Sequence, residues 1–295
     1  MGLLESIEKI ADGFKGELGI SVKHLVTGET ACHNGEMLFP TASVFKIPVI
    51  LEFFRQVDAG KISLEQQIVL SDRDKVPGSG ILKELSEGMP VSYKDLLSLM
   101  MIVSDNTATD LVVEIVGFEN INNAMRKLGL KNTKVTKYCR QILFDLVGVN
   151  NLEIEEMTLD VFKEAAENSD YAGSWSLEVE DNDVSTPDEM TRLLELIAIG
   201  EAASKESCQA ILDIMSKCQT GTYRIPKYLP QKKVVLQRKT GSLPGIRNDV
   251  GVIIIKETGE KYALTCFTKN AEDIYEAEET IAKVSEAVFD YFTQG

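Results

Sequence analysis

The sequence predicts a mixed α/β fold of the α+β type, with one antiparallel sheet of about five strands and an inserted, all-helical subdomain. Strand-like alternation is confined to the two ends of the 295-residue chain, whereas apolar residues recur at helical spacing in its middle. The strands from the two ends are therefore expected to pair in one sheet that excludes the middle block. We assign residues 1–60 and 200–295 to this sheet subdomain, flanked by the N- and C-terminal helices, and residues 61–199 to the helical subdomain.

The N-terminal part is predicted to contain a helix, a hairpin and a second helix. Apolar residues at helical spacing indicate the first helix over residues 3–14. Residues 18–26 and 29–39 follow as the two strands of a hairpin, with Gly28 in the turn. The next helix covers residues 43–59 and is apolar on almost every side, so we expect it to be buried.

The middle block is predicted to be helical, and the C-terminal part returns to mixed structure. The helices of the middle block are expected at residues 93–101, 108–116, 121–128 and 187–199. The C-terminal elements are expected as a helix at 205–218, strands at 233–239, 249–256 and 261–268, and a closing helix at 276–292. An acidic insertion at about 146–182 has one short predicted helix, over residues 155–166. We interpret this insertion as a solvated surface segment, with a lid over the functional site as the alternative.

The charge of the chain excludes some classes of partner. A formal net charge of −15 argues against nucleic acid and anionic membrane surfaces, because both need a basic footprint. No apolar run reaches the roughly 20 residues that span a bilayer. We therefore expect no nucleic-acid or membrane partner. We also expect a monomer that acts on a small-molecule substrate, about which the charge says little.

The cysteines and the N-terminus bear on cofactors and compartment. Five cysteines without a C-x-x-C pair suggest neither a disulfide framework nor a zinc site, so we expect no metal and no cofactor. Free thiols fit a reducing compartment, and the first residues lack a secretory pattern. We expect a cytoplasmic protein, or an exported one if a leader preceding Met1 has been removed.

A serine and a lysine three residues apart begin the buried helix. At this spacing Ser43 and Lys46 share one helix face. A buried lysine is costly unless it is paired or its pKa is lowered, and such a lysine can activate a neighbouring hydroxyl as a nucleophile. The alternative is a helix-capping serine and a lysine whose ammonium group reaches solvent.

Two further motifs follow in order. Ser104-Asp105-Asn106 comes after an apolar helix, and Lys239-Thr240-Gly241 ends a strand. With Ser43-x-x-Lys46 before them, these motifs resemble the signature set of serine β-lactamases and penicillin-binding proteins. The flanking segments FPTASVFKIPV, LLSLMMIVSDNTATDLV and RKTGSLPGIRNDVGV are similar to those of class A β-lactamases. The similarity extends over residues 17–292, apart from the acidic insertion.

This resemblance implies a serine hydrolase that is acylated at Ser43. Lys46 would take the proton of the serine, with Lys239 as a neighbouring cation that lowers its pKa. Ser104 would pass the proton to the leaving nitrogen, and Asn106 would hold both Lys46 and a substrate amide.

The resemblance also implies a substrate-binding edge. The residues on this edge are Thr240, Gly241, Ser242 and Arg247. The backbone N–H groups of Ser43 and Ser242 would form the oxyanion hole. From the sequence alone, Arg247 could equally brace Asp249 or another carboxylate, and Asp105 is expected to brace its own loop.

The resemblance fails at the segment that supplies the deacylation base. Class A β-lactamases carry a Glu-x-x-Leu-Asn segment whose glutamate activates the deacylating water, and this chain has Cys139 near that position. Its Arg140…Asp145 arrangement resembles a branch of related hydrolases that also lack the glutamate. Asp145 is thus the candidate for a carboxylate near the water. The alternatives are a structural pair between Asp145 and Arg140, and a base from the acidic insertion.

The sequence therefore predicts a class A-type β-lactamase that forms an acyl-enzyme and deacylates slowly. Losing a general base typically costs roughly 10²–10⁴-fold in rate. The alternatives are an esterase or D,D-peptidase-like amidase on the same scaffold, and a penicillin-binding or sensor protein that is acylated without turnover.

Overall fold

The computed structural model describes residues 2–149, 151–169 and 182–293. Its α-helices are α1 (Leu3–Ala11), α2 (Lys46–Asp58), α3 (Tyr93–Ile102), α4 (Asn106–Val116), α5 (Phe118–Lys127), α6 (Cys139–Leu146), α7 (Leu159–Glu167), α8 (Pro187–Ala198), α9 (Lys205–Met215) and α10 (Ile274–Thr293). Its strands are β1 (Glu17–His24), β2 (Thr30–His33), β3 (Phe39–Pro40), β4 (Gln67–Val69), β5 (Pro90–Ser92), β6 (Val184–Ser185), β7 (Val234–Leu243), β8 (Ile246–Ile255) and β9 (Lys261–Lys269). Within the described ranges, no helix is long and apolar enough to cross a bilayer.

The main sheet confirms the predicted fold class. Its five strands run in the order β2-β1-β9-β8-β7, and all neighbouring pairs are antiparallel. β1 from the N-terminal part pairs with β9 from the C-terminal part, with Ile20 opposite Cys266. The two ends of the chain therefore form one sheet, and β7 is an edge strand.

The second strand of the hairpin is shorter than predicted. Pairing with β1 stops at His33, because Asn34 adopts a left-handed backbone with φ of 52° and its side chain donates to the carbonyl of Leu18. The chain turns there, and β3 pairs instead with β6 at the far end of the middle block. The expected single strand over residues 29–39 is thus two short strands in different sheets.

Apolar side chains of the main sheet enter two cores. On β9, Ala263 and Phe267 join the core that contains α2, whereas Tyr262, Leu264 and Cys266 join the core under α1 and α10. This follows from the period of two along a strand. The side chains of α2 are buried from Lys46 to Phe54, as its apolar sequence predicts. Helix α8 of the middle block packs on β1 and β9, so it lies directly against the sheet.

The described part of the acidic insertion is a short helical segment. The predicted helix over 155–166 is found slightly later, as α7, after a single 3₁₀ turn at Ile154–Glu156. Phe162 packs on Phe144 of α6, with 5.5 Å between the ring centroids. The side chains of Glu153, Glu155 and Glu156 are exposed. The rest of the predicted insertion, residues 150 and 170–181, lies outside the described residues.

Candidate active site

The serine and lysine of the first motif lie at the start of α2. Ser43 is in a 3₁₀ turn, Ala42–Phe45, and not in the α-helix that the sequence predicts from residue 43. The α-helix begins at Lys46, which is fully buried. The Lys46 Nζ atom donates to the Ser104 carbonyl at 2.9 Å, to Ser104 Oγ at 3.1 Å and to Asn106 Oδ1 at 3.0 Å. The first two motifs therefore meet at one ammonium group.

The Ser104 hydroxyl lies between two lysines. Lys239 Nζ, from β7, donates to Ser104 Oγ at 3.0 Å, on the same oxygen that receives Lys46. An oxygen that accepts from two ammonium groups has used both lone pairs, so its own proton is free to be donated to a third group. Ser104 also has a left-handed backbone, with φ of 57°, which is uncommon for a residue other than glycine.

Burial changes the protonation of both lysines. It lowers the pKa of Lys46, because removing an ammonium from water disfavours the charged form, and the nearby carboxylates of Asp110 and Asp105 only partly oppose this. Burial, reinforced by repulsion from Lys46, lowers the pKa of Lys239 to about 7. Near neutral pH one lysine of the pair can thus be uncharged and serve as a base.

Gly241 allows β7 to approach the Ser43 turn. A Cβ atom at this position would lie 2.5 Å from the Thr41 carbonyl oxygen and 3.1 Å from the Ser43 nitrogen. Asn248, on the neighbouring β8, donates its side-chain amide to the carbonyls of Pro40 (2.8 Å) and Thr41 (3.1 Å). The turn that carries Ser43 is therefore fixed against the edge of the sheet by contacts that the motifs do not reveal.

These elements surround one cavity of about 250 Å³. Its described lining includes members of all three motifs, and it is formed by Ala42, Ser43, Phe45, Gly78, Ser79, Ser104, Asn106, Cys139, Ile142, Leu143, Thr220, Thr240, Ser242 and Leu243. The structure thus brings together Ser43, Ser104 and Asn106 on the wall of the cavity, while both lysines are buried behind it. None of the described lining residues is an aspartate or a glutamate.

Cys139 lines the cavity. Its position in the sequence is near the one at which class A β-lactamases carry the glutamate that activates the deacylating water. Cys139 is the first residue of α6, and its backbone N–H donates to Asp110 Oδ1 at 2.7 Å. Burial raises the pKa of its thiol, which therefore stays neutral and is a poor base.

Asp145 is not among the described residues that line this cavity, and its carboxylate is in an ion pair. Lys137 Nζ donates to Asp145 Oδ2 at 2.7 Å, and both side chains are mostly buried. The predicted pairing with Arg140 is wrong: the Arg140 guanidinium contacts Asp110 at 3.4 Å and the carbonyls of Arg73 and Asp74. Residues five apart on a helix point in different directions, which explains the separation of Arg140 from Asp145.

Two arginines, Arg224 and Arg247, contact the end of β7 at Ser242 and Leu243. Arg247 Nε is 3.5 Å from Glu278 Oε1, and its guanidinium donates to the carbonyls of Leu243 and Ile246. Asp249 pairs with Arg238 at 3.0 Å, so the carboxylate that Arg247 braces is Glu278, and substrate binding by Arg247 stays a prediction.

Arg224 was missed by the sequence reasoning. This buried side chain donates to Ser242 Oγ at 2.6 Å and to the carbonyl of Gly241 at 2.9 Å. It is also paired with Glu278 at 3.0 Å. The residue lies in a loop between α9 and β7, where no motif or periodicity marks it. Its guanidinium contacts a side chain that lines the cavity, Ser242, whereas Arg247 contacts the backbone carbonyl of Leu243.

Asp105 braces its loop, as expected. Its carboxylate accepts from the backbone N–H groups of Ile81 (2.7 Å), Leu82 (2.8 Å) and Ala108 (3.0 Å). Among the described residues, no group of His, Cys, Asp and Glu side chains is arranged to hold a metal ion.

Asp183 fixes the backbone just before Cys139 through hydrogen bonds. Asp183 Oδ1 accepts from the backbone N–H groups of Thr136 (2.7 Å) and Lys137 (3.0 Å), while Oδ2 is buried without a partner. Burial, with repulsion from Asp110, raises the pKa of Asp183 to about 7, although the N–H donors and Lys137 oppose the shift.

This raised pKa predicts a pH-dependent stability. A carboxyl whose folded pKa exceeds its ordinary value favours folding most when protonated, so its contribution is lost as pH rises from about 4 to about 7. At pH 8 we expect the free energy of unfolding of Asp183→Asn to exceed that of wild type by roughly 1–3 kcal/mol. Near pH 4 the two proteins should be equal. Urea unfolding across this pH range measures the difference, and a constant difference at all pH values would contradict the assignment.

The chain is similar to known proteins over almost its whole length. The model of the Beta-lactamase enzyme family matches residues 2–292. β-Lactamase VEB-1 from Pseudomonas aeruginosa is 24% identical over 97% of this chain and 89% of its own length. Extended-spectrum β-lactamase PER-1 from the same organism is 27% identical over 98% of this chain and 87% of its own length.

Solved structures show the same architecture. A β-lactamase from Sphaerobacter thermophilus is 30% identical and superposes with a TM-score of 0.82, covering 100% of this chain and 98% of that one. PBP-A shares the fold at 22% identity, with a TM-score of 0.80 over 99% of this chain and 96% of its own. A variant of PBP-A was solved as an acyl-enzyme complex with penicillin G.

Proposed function

Because this chain belongs to the β-lactamase enzyme family and is a serine hydrolase, we propose that Ser43 is acylated by β-lactams or related cyclic amides. The observation that carries the proposal is the Ser104 hydroxyl, which is held by two buried lysines on the cavity that Ser43 lines. This arrangement can take the proton of the Ser43 hydroxyl and deliver a proton to the leaving nitrogen of a reacting amide.

The proposed acylation step uses Ser43, Lys46 and Ser104. Uncharged Lys46 takes the proton of Ser43, and Ser43 Oγ bonds to the carbonyl carbon of the substrate. As the carbon–nitrogen bond breaks, Ser104 gives its proton to the leaving nitrogen and regains one from Lys46, 3.1 Å away. The oxyanion is stabilised by the backbone N–H groups of Ser43 and Ser242. The proton of the serine thus ends on the nitrogen, and Lys46 returns to its uncharged form.

The edge of the cavity suits a substrate carboxylate. Thr240 and Ser242 present hydroxyl groups there, and the buried guanidinium of Arg224 supports Ser242 Oγ from behind. Lys239 adds positive charge close by. In this role Arg224 takes the place that the sequence assigned to Arg247.

Deacylation is proposed to be slow. Hydrolysis of the acyl-enzyme needs a base beside the attacking water, and the described wall of the cavity offers a neutral thiol and no carboxylate. This keeps two alternatives open: an esterase or D,D-peptidase-like amidase that turns over β-lactams slowly, and an acyl-accepting protein that does not turn over. β-Lactams are the first choice because the named relatives VEB-1 and PER-1 are β-lactamases.

Intact-mass spectrometry with a penicillin tests the proposal. We expect wild type to gain the mass of one penicillin and to lose it slowly, whereas Ser43→Ala should gain none because its nucleophile is absent. Ser98→Ala is the control, since Ser98 lies on α3 and only donates to the Lys94 carbonyl. A chromogenic cephalosporin and a simple activated ester are assayed in parallel.

The outcomes separate the candidates. Fast ester cleavage with slow β-lactam turnover supports the esterase or amidase, and an adduct that persists for many minutes supports the acyl-accepting protein. If wild type gains no acyl mass and turns over none of the three compounds, the proposed chemistry at Ser43 is wrong.

A further inference from the structure

A loop before α3 lies against the Ser104 motif. We propose that Ser79, in this loop, is a positioning residue for acylation: it holds Ser104 in the backbone conformation that places the Ser104 hydroxyl between the two lysines. The inference rests on the proposed function, because it concerns the same proton transfer. No sequence motif marks Ser79.

Ser79 contacts the motif through both its side chain and its backbone. Its hydroxyl donates to the Ser104 carbonyl at 2.7 Å and lies 3.2 Å from Asn106 Oδ1. Its own carbonyl accepts from the Asn106 backbone N–H at 3.0 Å. The peptide groups on both sides of Asp105 are therefore tied to this one residue.

Ser79 forms its hydrogen bond at a residue whose backbone conformation is unfavourable. A serine at φ of 57° is in a region that residues with a side chain seldom occupy, so the conformation persists only where surrounding contacts hold it. The Ser104 carbonyl accepts from Lys46 Nζ (2.9 Å) and from Ser79 Oγ. Since Lys46 must lose a proton to act as a base, Ser79 is the donor to this carbonyl that does not change during the reaction.

The neighbours of Ser79 make its position rigid. A Cβ atom on Gly78 would lie 2.8 Å from Asn106 Nδ2, and one on Gly80 would lie 2.3 Å from the Asp105 carboxylate, so both glycines allow close approach. Lys83 Nζ donates to the carbonyls of Gly78 (2.9 Å) and Gly80 (2.8 Å). Lys83 thus fixes the backbone on both sides of Ser79, and the Ser79 hydroxyl has little freedom to reach other partners.

Ser79 is nevertheless not a core residue. It is exposed and lines the cavity. Removing its hydroxyl should leave the fold intact, because no buried apolar contact is lost. Its effect should appear in the proton-transfer step, where a small misplacement of a reacting group can cost roughly 10²-fold in rate.

The test compares Ser79→Ala, Ser79→Thr and the control Ser98→Ala in single-turnover acylation by a penicillin. We expect Ser79→Ala to lower the acylation rate constant roughly 10- to 100-fold, with noncovalent affinity changed less than about twofold and an unchanged melting temperature. Ser79→Thr keeps the hydroxyl and should recover most of the rate. Ser98→Ala should behave as wild type.

A second readout is the pH profile of acylation. Ser104 Oγ accepts from both ammonium groups, so its misplacement in Ser79→Ala should shift the acidic limb of the profile to lower pH. The groups that face the lysines are otherwise unchanged, namely Cys139, Asp110, Asp105, Cys218 and Asp249. An unchanged rate and profile, or equal losses in Ser79→Ala and Ser79→Thr, would overturn the inference. Absence of acylation in wild type would instead overturn the proposed function.

Discussion

Replacing Lys46 with methionine is expected to slow acylation roughly 10²–10⁴-fold while the chain remains folded. Lys46 is fully buried, and burial lowers its pKa, so the wild-type side chain can supply the base that Ser43 needs. Methionine has similar length and carries no charge. The reaction should therefore lose its proton acceptor, and the folded state should lose a costly buried cation.

The fold tolerates this change because the acceptors keep other donors. The Ser104 carbonyl retains Ser79, and Ser104 Oγ retains Lys239. Asn106 Oδ1 loses Lys46 and keeps its contact with the Ser79 hydroxyl at 3.2 Å. The melting temperature of Lys46→Met should thus be equal to or above that of wild type. Lys75→Met is the control, since Lys75 is mostly buried in an ion pair with Asp72 outside the cavity. If Lys46→Met acylates at the wild-type rate, Lys46 is not the base.

The second large effect is a gain of function. We expect Cys139→Glu to accelerate loss of the penicillin adduct at least 10-fold, within the roughly 10²–10⁴-fold span of a general base. Cys139 already lines the cavity, and its backbone is fixed by Asp110 at 2.7 Å, so a carboxylate there would face the acyl group at Ser43. Repulsion from Asp110 should raise the pKa of the new glutamate, and the gain should grow with pH.

Cys139→Gln is the matched control for this gain. It has the shape of glutamate without a titratable group, so its deacylation should remain slow at every pH. Time-resolved intact-mass spectrometry measures both variants after a pulse of penicillin. Equal deacylation by the Glu and Gln variants would mean that the missing carboxylate does not limit turnover.

Much of the fold was accessible from local patterns. Alternation at the two ends and helical spacing between them predicted the five-stranded antiparallel sheet, because these periods reflect which side chains face a core. The division of residues 29–39 into β2 and β3 was not predicted. It depends on Asn34, whose left-handed turn is held by the distant Leu18 carbonyl.

The candidate catalytic groups were predicted for a different reason. Three short motifs in a fixed order supplied Ser43, Lys46, Ser104, Asn106 and Lys239, since each motif keeps its residues together within one turn or strand end. The contacts of Lys46 and Lys239 with the Ser104 hydroxyl are a property of the tertiary structure, because α2, the turn before α4 and the edge strand β7 meet only after folding.

By itself, the sequence determined the family, the sheet and the candidate reactive side chains. The tertiary structure alone decided their partners: Arg224 beside Ser242, Lys137 on Asp145, and Ser79 against Ser104. Each of these pairs joins ordinary polar residues from separate loops or helices. Hydrogen bonds and ion pairs depend on distance and direction in space, and no local spacing in the sequence records either one.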